Sequence, residues 1–278
     1  MKRFAALLLS GLMMISVTGC NAITIDGEDN AKERSGGTAI GFSVSTLNNP
    51  FFVTLTEGAK EKAGEENVQL IVVDAGDDAA KQTSDIEDLV SRNVGVLIVN
   101  PVDSDAVAPA VQSAVAQGIK VISVDRGVNG VEVDCQIASD NVAGANMATE
   151  YLAELIGEGA KVAELQGVPG ASATIDRGEG FHQVADEKLD VAASQTANFN
   201  RAEGMSVMEN ILQSDGSIKG VFAHNDEMAL ALPKRWLLPE RILKSLDLTL
   251  PTMLKKLLRT GKWRLLWHRN LIKWEKQQ

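Results

Sequence analysis

The chain has the sequence AIGFSV at residues 39–44 and STLNNPFF at residues 45–52, and this stretch decides the fold that the sequence predicts. The first part is apolar enough for a buried parallel strand, and the second leads into a segment with helical periodicity. In open α/β sheets, ligands bind just beyond the carboxyl ends of the strands, where residues 45–52 lie. The octapeptide therefore suits a ligand-binding turn but does not establish one by itself. It also suits a helix start with Asn49 as N-cap and Pro50 in the first turn, and the two interpretations are compatible.

The octapeptide carries side chains whose chemistry suits a sugar. Its hydroxyl and amide groups exchange hydrogen bonds with hydroxyls, and its two adjacent phenylalanines offer rings for C–H faces. The alternative is that both phenylalanines belong only to the core.

From residue 38 onwards, apolar runs alternate with amphipathic stretches. The apolar runs predict strands at Thr38–Thr46, Gln69–Asp74, Gly95–Asn100, Lys120–Asp125, Lys161–Gln166, Asp190–Ser194 and Gly220–Ala223. The amphipathic stretches predict helices at Phe51–Glu65, Ala79–Arg92, Asp105–Gln117, Asn141–Ile156, Gly178–Lys188 and Ala202–Gln213. This alternation is typical of βαβ units, so the predicted class is α/β with parallel sheets.

Residues 131–140 break the rhythm, because they have strand character with no helical pattern before them. Such a break is expected where a chain crosses between two α/β domains. The sequence therefore predicts two Rossmann-like lobes joined by a hinge, an N-terminal lobe at 38–138 and a C-terminal lobe at 139–230. Clefts between two lobes are common ligand sites, because closure buries most of a small ligand.

The charge is unevenly distributed along the chain. A net charge of −10 disfavours nucleic acid as a partner, since phosphate binding needs a basic surface. Residues 1–230 hold 15 Lys and Arg against 34 Asp and Glu, whereas residues 231–278 hold 12 against 3 and contain all four tryptophans. We therefore separate residues 231–278 as an aberrant basic, Trp-rich tail.

The amino terminus has the features of a bacterial lipoprotein signal. Residues 1–20 combine a basic start, a short apolar run and the sequence Val-Thr-Gly-Cys, which predicts lipidation at Cys20. The alternative is an ordinary secretion signal with an incidental cysteine. Residues 21–37 are polar and predict a flexible tether. Cys135, the only other cysteine, is expected to be a buried, small apolar residue.

The sequence lacks the spacing of the common catalytic and metal-binding motifs. Gly167-Val-Pro-Gly170 supplies only two of the three glycines of a dinucleotide fingerprint. The three histidines have no metal-ligand spacing. His182 is expected in a solvated or packing position, and His224, at a strand end, could line a pocket. We therefore expect no enzyme activity, no cofactor and no metal.

Polar, charged and aromatic residues recur directly after the predicted strands. The set comprises Asp125, Arg126, Arg177, Phe199 and Asn225. Carboxylates and guanidinium groups hold vicinal hydroxyls through paired hydrogen bonds. For each residue alone a surface loop or helix cap is the simpler explanation, but the recurrence in both lobes favours a binding site.

With these segments in place, the chain resembles the ribose-binding family of bacterial periplasmic binding proteins, which serve sugar ABC importers. The resemblance runs from about residue 38 to residue 230, with its segments in order. These segments are Val44–Phe52, Asn100–Val107, Val124–Arg126, Ile137–Asn141, Glu164–Gly167, Arg177–Phe181 and Phe222–Leu230.

The resemblance implies a cleft in which aromatic rings sandwich a sugar inside a polar girdle. The residues it implies as sugar contacts are Ser45, Asn49, Phe51, Phe52, Asp125, Arg126, Arg177, Phe199 and Asn225. It places Asp125 and Arg126 near the hinge and gives Phe199 a stacking role. It also implies that sugar binding closes the two lobes.

The family pattern stops after Leu230, where the family continues with strands that carry a binding Asp and a binding Gln. The second lobe is therefore expected to be incomplete. One interpretation is that the tail is an amphipathic, membrane-surface segment. The other, which fits better, is a one-base shift of reading frame, because codons chosen for Ser245–Pro251 and Gly261–Trp267 regroup to encode both missing strands. We expect Asp247 not to replace the missing binding Asp.

These features predict a lipid-anchored, extracytoplasmic solute-binding protein that delivers a ribose-like monosaccharide to an ABC permease. A sensory subunit that serves a chemoreceptor or sensor kinase is the alternative. A repressor of the same two-lobed design would need a helix-turn-helix head, whereas residues 1–37 carry a secretion signal. An enzyme on a Rossmann-like fold remains open, since fold does not fix function.

Overall fold

A computed structural model describes residues 39–231. The predicted signal, lipidation site Cys20 and tether, as well as the basic tail from residue 232 with Asp247, lie outside the described residues. Strands and helices alternate along the chain. The strands are β1 (Ile40–Val44), β2 (Leu70–Asp74), β3 (Val96–Val99), β4 (Lys120–Val124), β5 (Cys135–Ile137), β6 (Lys161–Gln166), β7 (Asp190–Thr196) and β8 (Gly220–Ala223). The helices are α1 (Pro50–Glu65), α2 (Ala79–Ser91), α3 (Ala108–Ala116), α4 (Asn141–Ile156), α5 (Ser172–Lys188), α6 (Arg201–Ser214) and α7 (Asp226–Leu230).

The first five strands form one parallel sheet in the order β2-β1-β3-β4-β5. Its alternate residues face opposite helices, as the two-residue period of a strand requires. Leu97 and Val99 pack with α2 and α3, whereas Phe42, Val44 and Ile98 pack with α1. The sheet is therefore covered on both faces, which explains why its strands are continuous apolar runs in the sequence.

The last three strands form a second parallel sheet in the order β7-β6-β8. One face packs on α4 and α5 through Phe181 and Phe222, whose rings stack with centroids 4.7 Å apart. The other face packs on α6 through Met208 and Ile211. The prediction of an α/β protein with two Rossmann-like lobes is confirmed, and within residues 39–231 the second sheet has three strands against five in the first.

Strand β5 is the point where the chain leaves the first sheet. It follows β4 with no intervening helix and pairs with β4 in parallel, and α4 then begins at Asn141 and packs against the second sheet. Cys135 lies on β5 and is exposed, as are all three residues of this edge strand. The prediction that Cys135 is buried was therefore wrong, because only one side of β5 is paired and its side chains are left in solvent.

The start of α1 follows the capping pattern of residues 45–52. Asn49 is the N-cap, its Oδ1 accepts a hydrogen bond from the backbone N of Phe51 at 2.9 Å, and Pro50 is the first helical residue. Pro50 lacks only an N–H that would have no partner in the helix. Helix α5 begins at Ser172, six residues before the predicted start, and the short helix α7 was not among the predicted helices.

Candidate functional site

The carboxyl ends of β1, β3 and β4 are joined by one amide side chain. Oδ1 of Asn100 accepts hydrogen bonds from Oγ of Ser45 at 2.6 Å and from its backbone N at 3.2 Å. Nδ2 of Asn100 donates to the carbonyl of Val124 at 3.0 Å. Ser45 and Asn100 are both fully buried. Ser45 thus fixes the strand ends, and Asn100 is a residue of the site that the sequence analysis did not single out.

A tight turn at Asp125 leads from β4 to Arg126. Asp125 has a φ of +65°, and the backbone N of Arg126 donates to the carbonyl of Val124 at 2.7 Å across it. The backbone N of Asp125 also donates to the carbonyl of Ile137 in β5 at 2.8 Å. Left-handed backbone is tolerated by Asp better than by most residues, and such outliers recur at functional sites.

Arg126 lies between two aromatic rings. Its guanidinium carbon is 5.2 Å from the ring centroid of Phe52 and 5.1 Å from that of Phe199, so one ring comes from each lobe. The side chain is 3% exposed, and Nη1 donates to the carbonyl of Pro101 at 2.7 Å. Desolvation lowers the pKa of Arg126 to about 10, opposed by the carboxylate of Asp125 at 4.0 Å. Within residues 39–231, Nε of Arg126 has no hydrogen-bond acceptor.

The ring of Phe199, which follows β7, packs directly against the backbone of Gly167. The φ of Phe199 is +59°, an unusual value for a bulky side chain. Its carbonyl accepts a hydrogen bond from Nδ2 of Asn225 at 2.9 Å. Its ring lies so close to Gly167 that a Cβ built there would be 2.1 Å from Cζ. Gly167 therefore belongs to the site as the only residue type that leaves room for this ring.

Arg177, on helix α5, also lies near the ring of Phe199. Its guanidinium carbon is 5.9 Å from the ring centroid of Phe199. Nε donates to Oδ1 of Asn141 at 3.0 Å, and Nη1 donates to the carbonyl of His224 at 2.5 Å. The ring of Phe199 thus has one cation near it from each lobe.

The structure therefore brings most of the nine predicted residues together. Phe52, Arg126, Phe199 and Arg177 form a continuous aromatic and cationic cluster, with Asp125 beside it and Asn225 attached to Phe199. Phe51 contacts the edge of Phe52, with ring centroids 5.1 Å apart. Ser45 and Asn49 use their side-chain oxygens within the protein, as a strand brace and a helix cap. Arg177 lies on helix α5 and reaches the end of β8 through its hydrogen bond to the carbonyl of His224.

Asp77 adds a carboxylate that the sequence analysis did not single out. Its backbone N donates to the carbonyl of Ser45 at 2.8 Å. Desolvation raises the pKa of Asp77, although a hydrogen bond with the side chain of Thr46 and the positive charge of Arg126 oppose the shift. Asp77 is thus part of the charge environment of Arg126.

A buried acidic and imidazole pair lies beneath the second half of the site. Glu164 is central in β6 and fully buried, and its Oε1 is 2.8 Å from Nε2 of His224. The prediction that His224 lines a pocket missed this pairing, because the two residues are 60 positions apart in the sequence. His182 is partly exposed on α5, as predicted, with Nε2 3.4 Å from the same carboxylate.

The two lobes are linked by hydrogen bonds at a second place. Oγ of Ser172 in α5 accepts from the backbone N of Gly127 at 2.9 Å, and the backbone N of Ser172 donates to Oγ of Ser104 at 3.1 Å. The backbone N of Ser104 donates to the carbonyl of Gly170 at 2.9 Å. These bonds hold the loop after β6 against the loop after β3.

The described residues offer hydrogen bonding and stacking at this site. No group of three or more His, Cys, Asp or Glu side chains that could hold a metal ion occurs in residues 39–231. No helix in that range is long and apolar enough to cross a membrane. A guanidinium group beside two aromatic rings suits a neutral ligand with hydroxyls at its edge and C–H groups on its faces. The guanidinium donates hydrogen bonds to the hydroxyls, and the rings contact the C–H groups.

Comparison with known proteins points to one class of protein. A sequence profile described as the periplasmic binding protein domain matches residues 40–234. The ribose import binding protein RbsB of Bacillus subtilis (strain 168) is 48% identical over 234 residues, which are 83% of this chain and 75% of that protein.

Two solved structures have the same fold over most of the described residues. An ABC transporter solute binding protein from Mycobacterium smegmatis, with bound glycerol, has a TM-score of 0.67 and 35% identity, covering 70% of this chain and 69% of that one. An ABC transporter periplasmic solute binding protein from Actinobacillus succinogenes 130z, with bound D-allose, has a TM-score of 0.63 and 31% identity, covering 70% and 71%.

Proposed function

The chain belongs to the periplasmic binding protein family, and from this premise we propose that it is the solute-binding component of an ABC sugar importer. It would capture a ribose-like monosaccharide between its two lobes outside the cytoplasm and deliver it to the permease. The relative from Bacillus subtilis is named as a ribose import protein, which favours import over the alternative of a sensory subunit. The proposed role is reversible binding, with no catalysed step.

The observation that carries this proposal is the position of Arg126. A guanidinium buried between Phe52 and Phe199, with Nε lacking an acceptor in the described residues, suits a ligand that brings an oxygen acceptor. Leaving a buried donor without a partner costs about 1–3 kcal/mol, so an acceptor from the ligand restores roughly that amount. A sugar hydroxyl is such an acceptor, and the C–H faces of the ring complement the aromatic side chains.

The remaining predicted contacts would have different roles. We propose that Asp125 and Arg177 exchange hydrogen bonds with sugar hydroxyls and that Phe199 stacks on one face of the ring. Asn225 already donates to the carbonyl of Phe199 and caps α7, so part of its contribution would be to hold Phe199 in place. The other proposed contacts are Ser45, Asn49, Phe51 and Phe52.

The direct test is calorimetric titration of the full chain with D-ribose, D-allose, D-xylose and D-glucose at pH 7.5. We expect D-ribose to bind tightly and at least one other sugar to bind about tenfold or more weakly, a difference of about 1.4 kcal/mol. A folded chain, judged by circular dichroism, that binds none of the four sugars would refute the proposal.

The membrane attachment is a separate proposal that rests on the lipobox sequence at residues 17–20. We propose that Cys20 is lipidated and anchors the mature protein outside the cytoplasm. Metabolic labelling with an alkyne fatty acid should mark the wild-type protein and not the Cys20→Ser variant. Equal labelling of the two proteins would refute lipidation at this position.

The frame-shift hypothesis for residues 231–278 is tested at the level of the gene. We propose that a one-base shift near codon 231 separates the present tail from the family's last strands. Resequencing this region should reveal the shift. An unchanged in-frame sequence, matched along its tail by other full-length proteins, would refute the hypothesis.

A further inference from the structure

Glu164 connects several elements of the second lobe from a fully buried position. Its Oε1 lies 2.8 Å from Nε2 of His224, which follows β8, and its Oε2 accepts from Nε2 of Gln166 at 2.9 Å. Oε2 also lies 3.4 Å from Nε2 of His182 on α5. A buried charge with this many partners is stabilised only as long as the partners keep their donors in place.

The hydrogen-bond partners of His224 define its tautomer. The backbone N of Gly167 donates to Nδ1 of His224 at 3.5 Å, a long hydrogen bond that favours an Nδ1 without a proton. The single proton of the neutral ring is then on Nε2, where it is donated to Glu164. His224 therefore joins the carboxylate of Glu164 to the backbone of Gly167 only as the neutral ring.

The charges around His224 favour this neutral form. Desolvation lowers the pKa of His224, and the nearby positive groups Arg177 and His182 act in the same direction, whereas Glu164 opposes them. For Glu164, desolvation raises the pKa, but hydrogen bonds from His224, Ser194 and Gln166 outweigh it, so the net shift is downward. At neutral pH the pair is thus a neutral imidazole and an ionised carboxylate.

The pair lies directly behind the groups that we assign to the sugar. Gly167, the neighbour of Nδ1, supports the ring of Phe199 with no space between them. The carbonyl of His224 accepts the hydrogen bond from Arg177, and the next residue is Asn225. A shift of the His224 ring or backbone would therefore reach Phe199, Arg177 and Asn225 together.

We propose that His224 is a positioning residue whose neutral ring, oriented by Glu164, holds Gly167 and Phe199 in place, so that its protonation in acid weakens sugar binding. A proton on Nδ1 would face the N–H of Gly167, and two donors would oppose each other. Gly167 cannot move toward Phe199, so the ring must be displaced or the lobes must separate. The sugar-binding part of this proposal rests on the proposed function.

The first test is the pH dependence of D-ribose affinity, measured by calorimetry on the full chain from pH 7.5 down through the pH at which the His224 ring takes up a proton. If one proton must leave His224 before binding, the affinity of the wild-type protein falls by up to about tenfold per pH unit below the pKa. His224→Gln supplies an N–H donor near the Nε2 position without a titrating ring. Because it also lacks the Nδ1 acceptor for Gly167, it should bind D-ribose more weakly than wild type at pH 7.5 and lose most of the pH dependence.

His182→Gln is the matched variant, because it removes the other histidine that faces Glu164. It should keep the pH dependence of wild type. The proposal is overturned if wild-type affinity is constant across the pH range in which the His224 ring takes up a proton, if His224→Gln titrates as wild type does, or if His182→Gln abolishes the dependence.

The second test needs no sugar and so separates this proposal from the proposed function. In nitrogen-15 NMR spectra of the full chain at pH 7.5, the ring of His224 should be the Nε2–H tautomer. The amide resonance of Gly167 should then shift with the protonation of His224 as the pH falls. An Nδ1–H tautomer would overturn the positioning role, and so would a Gly167 amide resonance that does not shift as His224 is protonated. Failure of all four sugars to bind at pH 7.5 would instead refute the proposed function alone.

Discussion

Gly167→Ala tests whether the Phe199 ring requires a residue without a side chain at position 167. An added Cβ at residue 167 would be 2.1 Å from Cζ of Phe199 and 2.3 Å from Cε1. Carbon atoms in contact are normally about 3.5–4.0 Å apart, so the ring would have to retreat by more than about 1 Å. The retreat is resisted by the hydrogen bond from Asn225 to the Phe199 carbonyl and by Arg126 on the opposite side of the cleft.

The size of the effect follows from this crowding. Inserting one methyl group into a well-packed site typically costs about 1–3 kcal/mol. If the cost falls on the sugar-bound state, the affinity for D-ribose decreases by about 5-fold to 150-fold. The part of the cost that falls on the free protein appears as a lower free energy of unfolding.

Two measurements on the same variant separate these contributions. Calorimetric titration with D-ribose gives the loss of affinity, and urea unfolding gives the loss of stability. Gly58→Ala is the matched control, because residue 58 lies in α1 and an added Cβ meets no atom within 4 Å. It should leave affinity unchanged and raise helix stability by up to about 1 kcal/mol. The reasoning is wrong if Gly167→Ala binds D-ribose within about twofold of wild type and its free energy of unfolding is unchanged. In that case the ring of Phe199 does not have to pack against a glycine at residue 167.

Three further predictions concern single side chains. Arg126→Lys loses the planar group between two rings and should lower D-ribose affinity by about 10-fold to 100-fold, whereas Arg92→Lys on the exposed end of α2 should have no effect in the same titration. Asn100→Ala leaves several buried groups without partners and should lower the free energy of unfolding in urea by about 3 kcal/mol or more, compared with near zero for the exposed Ser84→Ala. Burial raises the pKa of Asp226 to about 6, with Glu227 adding to the shift, so its ionisation destabilises the fold as pH rises through that value. Asp226→Asn should therefore raise the urea midpoint at pH 7.5 and leave it unchanged at pH 3, and an equal effect at both values would contradict the assignment.

The sequence predicted the strands and most helices well because both faces of these sheets are covered. A strand packed on both sides is a continuous apolar run, and β6 and β8 were predicted with their observed bounds for that reason. Helix α5 was predicted to start at Gly178 because the preceding turn contains few large apolar residues. At its observed start, Ser172 makes hydrogen bonds with Ser104 and Gly127 of the first lobe, and no local pattern records such contacts.

The site was predictable only in part for a similar reason. Strand-end positions and the family resemblance identified Phe52, Arg126 and Phe199, whose rings and guanidinium group do meet. The buried partners Asn100 and Glu164 were not found, because each is a lone polar residue in or next to an apolar run. Their roles depend on atoms 55 and 60 positions away, Ser45 and His224 respectively. Periodicity carries no information about such pairs.

The geometry of Arg126 also links ligand recognition to lobe closure. Phe52 comes from the first lobe and Phe199 from the second, so the cation is enclosed by rings only while the lobes lie together. Enclosure removes water from the guanidinium group, and within residues 39–231 nothing accepts a hydrogen bond from Nε. Closure without a ligand therefore carries a desolvation cost of about 1–3 kcal/mol at this atom. In the proposed function, a sugar oxygen at Nε would remove that cost only in the closed arrangement, and a ligand that binds one arrangement better shifts the population toward it. The Nε donor of Arg126 would thus have two effects. It would favour ligands that carry a hydroxyl group, and it would favour closure of the lobes around such a ligand.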